Sequence, residues 1–128
     1  MIKSTESTMS PELSVITVTY NERENIRLFI TVVNRILSDA KINGEIIVVD
    51  DSSPDGTSDV VLEMKKLFPH TTLLKRPGKM GIGSAYLRGF KEAQGKVVAF
   101  LDADLSHTPE VLPELYELAV QGNIASVL

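Results

Sequence analysis

The sequence contains no cysteine and no tryptophan, and only 5% of its 128 residues are aromatic. Without cysteine, the chain can form neither a disulfide nor a thiolate–zinc site, and it cannot use a cysteine nucleophile. The absence of disulfides suits a reducing compartment, so we expect a cytoplasmic protein. There is also no apolar run near the roughly 20 residues that cross a bilayer. The polar start, MIKSTESTMSPE, lacks the apolar stretch of a secretory signal. We interpret residues 1–12 as a disordered leader.

Positive charge is scarce as well. The chain has 13 lysines and arginines against 17 aspartates and glutamates, which gives a formal net charge of -4. Proteins that bind the phosphate backbone of nucleic acids normally present a basic surface, so we expect no nucleic-acid partner. The hydrophobic fraction of 43% and the chain length are sufficient for one domain with its own core.

What the sequence does contain is a regular alternation of short β-rich runs and amphipathic stretches. The alternation predicts an α/β fold, Rossmann-like, with an open and mostly parallel sheet flanked by helices on both faces. The predicted strands are residues 13–19, 45–49, 72–75 and 97–101, and the predicted helices are residues 23–38, 60–68, 84–93 and a last one after residue 108 that Pro113 kinks or restarts. The final IASVL resembles the start of another strand. We therefore expect that the C-terminal part of the fold is missing and that self-association or a partner completes the sheet.

Paired acidic residues follow two of the predicted strands. Asp50 and Asp51 come after IIVV, and Asp102 and Asp104 come after VVAFL. The carboxyl ends of parallel strands share one edge of the sheet, where open sheets bind ligands. Side chains two residues apart on a strand point the same way, so Asp102 and Asp104 can converge on one cation. Their oxygen ligands favour Mg²⁺ or Mn²⁺, whereas the structural alternative is that Asp104 caps a turn.

The first acidic pair favours a different ligand. Aspartates behind a buried strand can accept hydrogen bonds from a nucleobase N–H or a ribose hydroxyl. The residues Asp55-Gly56-Thr57 that follow are typical of a turn and a helix cap. Asn21 and Glu24 have the spacing of a helix-capping pair, which is the alternative to a nucleotide pocket lined by the residues after the first strand.

A basic, glycine-rich loop enters the third predicted helix with the sequence RPGKMGIGS. Backbone N–H groups at a helix start suit a phosphate, and Arg76, Lys79 and Arg88 could add positive charge. The loop lacks the Gly-Lys-Ser/Thr of a Walker motif. Tyr86 also stands where a dinucleotide-binding fingerprint requires a small residue, so this motif alone predicts little.

Four segments in order carry a resemblance to a known family. VTYNERENI, IIVVDDSSPDGT, RPGKMGIGSAYLRGF and FLDADLSHTPEVLPEL resemble the inverting family 2 glycosyltransferases with the GT-A fold, and more narrowly their dolichyl-phosphate or polyprenyl-phosphate mannosyltransferase branch. The resemblance runs from about Leu13 to the end of the chain. It implies a nucleotide-sugar-binding GT-A domain over residues 13–128, truncated because family members continue for roughly another half of a domain.

The resemblance also implies an activity and a set of site residues. The activity is inverting transfer of mannose from GDP-mannose to a dolichyl or polyprenyl phosphate, in peripheral contact with the cytosolic face of a membrane. The acceptor phosphate is already an anion, so no separate general base is required. The implied site residues are Tyr20, Asn21 and Glu22 for the sugar nucleotide, Asp50 and Asp51 for the nucleoside, Ala103 along the ribose, and Asp102 and Asp104 as the catalytic, metal-binding pair. To these the glycine-rich loop adds Lys79 for a phosphate.

Three alternatives stay open at this point. Another family 2 enzyme would use a UDP-sugar. A receiver-type phosphoacceptor signalling domain also has an acidic pair after a strand, although there the pair follows the first strand. A sugar 1-phosphate nucleotidyltransferase would need a basic, glycine-rich loop directly after the first strand, where this chain has Tyr20-Asn21-Glu22.

Overall fold

The computed structural model describes residues 10–106 and 108–122, and in them four strands alternate with four α-helices. The strands all run parallel, in the order β3-β2-β1-β4. The elements are β1 (Leu13–Thr19), α1 (Arg23–Asp39), β2 (Gly44–Asp50), α2 (Thr57–Leu67), β3 (Thr71–Lys75), α3 (Ile82–Glu92), β4 (Val97–Phe100), a 3₁₀ turn (Pro109–Val111) and α4 (Leu112–Val120). The predicted α/β fold with a parallel sheet is confirmed. The expected final strand, and residues 1–9 of the expected leader, lie outside the described residues.

The two central strands have the composition that their position requires. Both β1 and β2 are buried over nearly their whole length, because helices cover the two faces of the sheet. On one face, α1, α2 and α4 enclose the larger core, which includes Phe29, Ile30 and Leu112. On the other face, α3 packs through Ala85 against a smaller cluster formed by the sheet.

A glycine allows α3 to approach this second face closely. A Cβ atom on Gly89 would lie 2.6 Å from Cγ2 of Ile16 and 3.2 Å from Cγ2 of Val49. Both contacts are shorter than ordinary van der Waals contact, so only glycine fits without displacing the strands. This close packing keeps α3, which follows the glycine-rich loop, near the ends of β1 and β2.

Two local expectations are settled by the structure. The predicted restart at Pro113 is confirmed, since a 3₁₀ turn ends and α4 begins at Leu112, which leaves the proline in the first turn where its missing N–H costs nothing. The assignment of Glu12 to a disordered leader is wrong. Its carboxylate accepts hydrogen bonds from the Asn43 backbone N–H (2.9 Å) and the Tyr116 hydroxyl (2.9 Å), so it belongs to the domain.

No helix in the described ranges combines the length and the apolar character that crossing a bilayer requires.

Candidate functional site

An open cleft of about 360 Å³ lies where the carboxyl ends of β1, β2 and β4 meet the glycine-rich loop. It brings together seven of the nine site residues expected from the sequence (Tyr20, Glu22, Asp51, Lys79, Asp102, Ala103 and Asp104), while Asn21 and Asp50 lie outside its lining. The cleft is lined by Val18, Tyr20, Glu22, Asp51, Lys79, Gly81, Ile82, Asp102, Ala103 and Asp104. The parallel topology explains this convergence, because strands that are distant in sequence end at one edge of the sheet.

Asp50, the first acid after β2, faces the protein interior. Its side chain is fully buried. Its carboxylate accepts hydrogen bonds from the hydroxyls of Thr19 (2.6 Å), Ser53 (2.6 Å) and Ser58 (2.9 Å), and from the Ser53 backbone N–H (3.1 Å). These four donors compensate the burial of the carboxylate. Asp50 therefore ties the end of β1 to the loop and helix that follow β2.

Asp51, the second acid, borders the cleft but is only 5% exposed. The Arg76 guanidinium donates to both of its oxygens, from Nε at 2.7 Å and from Nη2 at 3.0 Å. The pair is bidentate and buried, which is the geometry in which Arg–carboxylate pairs are strongest. The hydrogen bond with Asp51 raises the pKa of Arg76, although burial opposes the shift.

The three basic residues of the segment RPGKMGIGSAYLRGF make different contacts. Arg76 is buried against Asp51 and does not line the cleft, so its expected role as a phosphate-facing charge is not what the structure shows. Arg88 forms an exposed pair with Glu92 one turn later on α3. Lys79 does line the cleft, and its Nζ lies 4.3 Å from the centroid of the Tyr20 ring, a cation–π contact across the cleft mouth.

The Asp102-Ala103-Asp104 segment leaves β4 and enters the cleft. Ala103 is buried, Asp102 is half-buried and Asp104 is exposed. The Ser106 backbone N–H donates to Oδ1 of Asp104 at 2.9 Å, so the turn-capping role considered from the sequence is present. Ser106 also donates its hydroxyl to Asp102 at 3.3 Å. One turn thus holds both carboxylates at the cleft, which is compatible with binding a cation.

Tyr86 is a residue whose place in the site the sequence did not reveal. Its hydroxyl donates to Oδ1 of Asp102 at 3.4 Å, and its ring packs edge-to-face on Phe100 with centroids 4.9 Å apart. Burial, followed by the neighbouring Asp102 carboxylate, raises the pKa of Tyr86 to about 12. The available signal was the tyrosine that breaks the dinucleotide-binding pattern at the start of α3.

The donor set at this edge fits a hard divalent cation that shares its ligands with a substrate. In the described part of the chain, no group of three or more His, Cys, Asp or Glu side chains could hold a metal ion. Mg²⁺ is typically bound by one or two carboxylates, with water and substrate phosphates supplying the other ligands. Asp102 and Asp104 match this smaller requirement.

The start of α1 is capped from a neighbouring loop. The N-cap residue is Glu22, and no side-chain hydrogen bond caps the helix locally. Instead, the Arg23 N–H donates to Asp55 (3.1 Å) and the Glu22 N–H donates to the Thr57 hydroxyl (3.1 Å). The Asn21–Glu24 capping pair, considered as the alternative to a nucleotide pocket, is not formed, because a residue of the loop after β2 supplies the acceptor. The predicted turn at Asp55 is confirmed, since its Oδ1 accepts the Thr57 N–H at 3.0 Å.

Backbone strain is concentrated around the cleft. Asn21, Ser52 and Leu105 have φ values of 57°, 55° and 63°, and they follow β1, β2 and β4 respectively. Left-handed conformations are unfavourable for residues other than glycine and persist where the surroundings impose them. The three strands therefore all end in constrained turns at the same edge of the sheet.

Comparisons with known proteins agree with this geometry. The model of the family described as "Glycosyl transferase family 2" matches residues 14–128. Dolichol-phosphate mannosyltransferase from Pyrococcus furiosus is 43% identical over 88% of this chain and 31% of its own length. The protein of the same name from Mycosarcoma maydis is 37% identical over 98% of this chain and 43% of its own length. This chain thus spans less than half the length of either relative.

A solved structure shares the fold. The mannosyltransferase from Pyrobaculum calidifontis in complex with GDP-Man and Mn²⁺ superposes with a TM-score of 0.67 at 27% identity. The match covers 86% of this chain and 33% of that one. With the family model covering nearly the whole sequence, and with the acidic edge and the glycine-rich loop where the fold places a ligand, the chain belongs to glycosyl transferase family 2.

Proposed function

We propose that this chain forms the donor-binding part of an inverting glycosyltransferase that transfers mannose from GDP-mannose to a dolichyl or polyprenyl phosphate. The observation that carries the proposal is the single cleft in which Asp51, Lys79, Asp102 and Asp104 meet. The two dolichol-phosphate mannosyltransferases and the mannosyltransferase bound to GDP-Man and Mn²⁺ support the choice of sugar and nucleotide.

The nucleoside would lie at the β1–β2 side of the cleft. Tyr20 is 39% exposed and offers a ring face to a base, and Glu22 offers a carboxylate on the same side. Asp51 is held in one orientation by Arg76 and can accept N–H groups of the base with lone pairs that the guanidinium leaves free. Asn21 and Asp50 would act behind these residues, by shaping the turns that present them.

The diphosphate would lie toward β4. Asp102 and Asp104 would hold Mg²⁺ or Mn²⁺, which when bound would neutralise negative charge on the departing nucleoside diphosphate. Ala103 is buried at the cleft wall between them and leaves room for the ribose. Lys79, on the opposite wall, would bring a positive charge toward the phosphates once a ligand competes for the face of Tyr20.

The proposed acceptor does not require a general base. A polyprenyl phosphate is an anion at neutral pH, and its oxygen can attack the sugar carbon while the nucleoside diphosphate leaves from the opposite side, which inverts the anomeric centre. Such an acceptor resides in a membrane, so the protein would work at the cytosolic face through peripheral contact. None of the described residues needs to remove a proton in this step.

Association with a second copy or a partner that completes the sheet remains part of the proposal. In the described structure, β4 lies at the edge of the sheet. Phe100 on this strand and Phe90 on α3 are 47% and 53% exposed. An unpaired strand edge beside exposed aromatic rings favours coverage by another polypeptide segment.

The proposal is tested by calorimetry of the folded protein with GDP-mannose, UDP-glucose and UDP-GlcNAc, each with and without Mn²⁺. We expect GDP-mannose to bind in a metal-dependent manner and the two UDP-sugars to bind more weakly. Preferential binding of a UDP-sugar would retain the family chemistry and reassign the donor. A sample with a cooperative unfolding transition that binds no sugar nucleotide in the presence of metal would overturn the proposal.

A further inference from the structure

Arg76 occupies an unusual place for a basic residue of a glycine-rich loop, because its guanidinium connects three segments around the cleft. It donates to both oxygens of Asp51 after β2, to the Ser84 hydroxyl in the first turn of α3 (2.7 Å) and to the Gly81 carbonyl (3.3 Å). The Arg76 side chain is only 7% exposed. The loop that carries Lys79 therefore leaves the sheet at Arg76 and is closed by the side chain of the same residue.

The backbone of Arg76 is fixed to the sheet edge as well. Its N–H donates to the Asp50 carbonyl at 2.8 Å, and its carbonyl accepts the Ser52 hydroxyl at 2.5 Å. By contrast, a Cβ atom added to Gly78 or Gly81 would meet no atom within 4 Å. The Cβ positions of these two glycines are therefore open, whereas Arg76 connects the loop to the sheet edge through several hydrogen bonds.

We infer that Arg76 is a positioning residue that couples the nucleoside end of the cleft to the diphosphate end. It orients the Asp51 carboxylate and, through Gly81 and Ser84, holds the loop that presents Lys79. The inference rests on the proposed function in so far as it concerns the donor. In this role Arg76 acts through Asp51 and the loop and does not contact the donor itself. The role requires the planar guanidinium fork of arginine, and a positive charge alone would not be sufficient.

The test compares four variants of the full chain, each checked for cooperative unfolding. Arg76→Met removes the whole connection, Arg76→Lys keeps the charge but loses the fork, and Ser84→Ala removes only the contact to α3. Arg27→Met is the matched control, because Arg27 also joins two elements through a carboxylate, Glu63 at 2.7 Å, but on an exposed surface away from the cleft.

Donor affinity is measured by calorimetry with GDP-mannose and Mn²⁺. We expect Arg76→Met to weaken binding about tenfold to a hundredfold, as small misplacements of binding groups do. Arg76→Lys should bind the donor as weakly as Arg76→Met. Ser84→Ala should lower the affinity about fivefold, which corresponds to the loss of one hydrogen bond. Arg27→Met should bind the donor as tightly as the wild type. Equal affinities of Arg76→Met and the wild type would overturn the inference, and so would full rescue by lysine.

Hydrogen exchange of the ligand-free protein provides a readout that does not depend on the donor. Arg76→Met and Ser84→Ala should accelerate exchange of the Ala85 amide, which donates to the Gly81 carbonyl (3.1 Å) that Arg76 also holds, while the amides of β1 and β2 stay protected. Unchanged exchange of the Ala85 amide would refute the positioning role. If Arg76→Met does not fold, Ser84→Ala, which leaves the buried ion pair intact, decides the question. Wild-type protein that binds no donor would overturn the proposed function and the donor half of this inference, whereas the exchange result still decides the loop half.

Discussion

The two acidic pairs at the sheet edge differ in how deeply they are buried and in which residues donate hydrogen bonds to them. Asp50 and Asp51, after β2, are 0% and 5% exposed, and the protein itself supplies their hydrogen-bond donors, including a guanidinium. Asp102 and Asp104, after β4, open on the cleft, and their contacts with Ser106 come from their own turn. Similar sequence patterns thus produce carboxylates that hold the fold at one place and carboxylates that are accessible to a ligand at the other.

The largest expected effect is on stability, from Asp50→Ala. The substitution removes the acceptor of four hydrogen bonds, and it leaves the buried hydroxyls of Thr19 and Ser58 without this acceptor. We expect the free energy of unfolding to fall by about 3 to 5 kcal/mol, measured by urea denaturation. Asp104→Ala is the control from the other pair and should cost about 1 kcal/mol at most, because it removes an exposed turn contact with the Ser106 N–H rather than buried hydrogen bonds. Equal losses for the two variants would remove the distinction.

The second effect is on ligand binding, from Asp104→Asn. The amide keeps the size of the side chain and one oxygen but loses the negative charge that a hard cation requires. We expect the metal-dependent part of the affinity for GDP-mannose to decrease by at least about tenfold with the unfolding transition unchanged, as measured by calorimetry with and without Mn²⁺. An unchanged titration would favour the turn-capping role, which the Ser106 N–H already demonstrates, as the whole role of Asp104.

The third effect is on the titration of Tyr86, which lies beside Asp102 on the β4 side of the cleft. The pKa of Tyr86 is raised from 10.0 to about 12, so this phenol contributes stability that is complete below pH 10 and is lost as the pH rises toward 12. Ultraviolet titration of the phenolates in the wild type and in Tyr86→Phe should differ by one transition near pH 12. If Tyr86→Phe instead lost a phenolate transition near pH 10, Tyr86 would not be held against Asp102 in the wild type.

The smallest effect distinguishes the β2 side at acid pH. Partial burial acts to raise the pKa of Asp55, but hydrogen bonds from Thr57 and from the Arg23 backbone outweigh it, so the net shift is downward. A lowered pKa gives stability that is present above the unfolded value of 3.8 and is lost as the pH falls through the folded value. Asp55→Asn should therefore be less stable than the wild type at pH 7, and the difference between their urea midpoints should shrink as the pH is lowered below 3.8. A constant difference would argue against this linkage.

Features that depend on local periodicity were predictable from the sequence. The bounds of β1 agree to the residue because LSVITVT is rich in the β-branched residues that favour strands. Asp102 and Asp104 both border the cleft, although they follow β4 in a turn and do not extend the strand. The start of α4 directly before Pro113 follows from proline chemistry, since proline suits the first turn of a helix. The residues that line the cleft could therefore be named largely without coordinates.

Features that depend on contacts between distant segments were not predictable in the same way. IIVVDDSS alone does not distinguish Asp50 from Asp51, because two of the four donors to Asp50 belong to β1 and α2. The guanidinium that holds Asp51 follows β3. Likewise, a basic residue before a glycine-rich loop suggests a phosphate ligand until the fold places a carboxylate beside it. The capping of α1 by Asp55 was missed for the same reason.

The strand order has a consequence for how the cleft comes into existence. Among the described strands, β1 comes first in sequence and pairs with β2 on one side and with β4, the last, on the other, so that Leu13 lies opposite Val97. Such long-range pairing closes a large loop and is slow compared with the neighbouring β1–β2 and β2–β3 pairings. The carboxylates of Asp102 and Asp104 would then reach the cleft last during folding. A ligand that touches both sides of the cleft would bind only the completed sheet, and it would protect β4 from detachment more than any other strand.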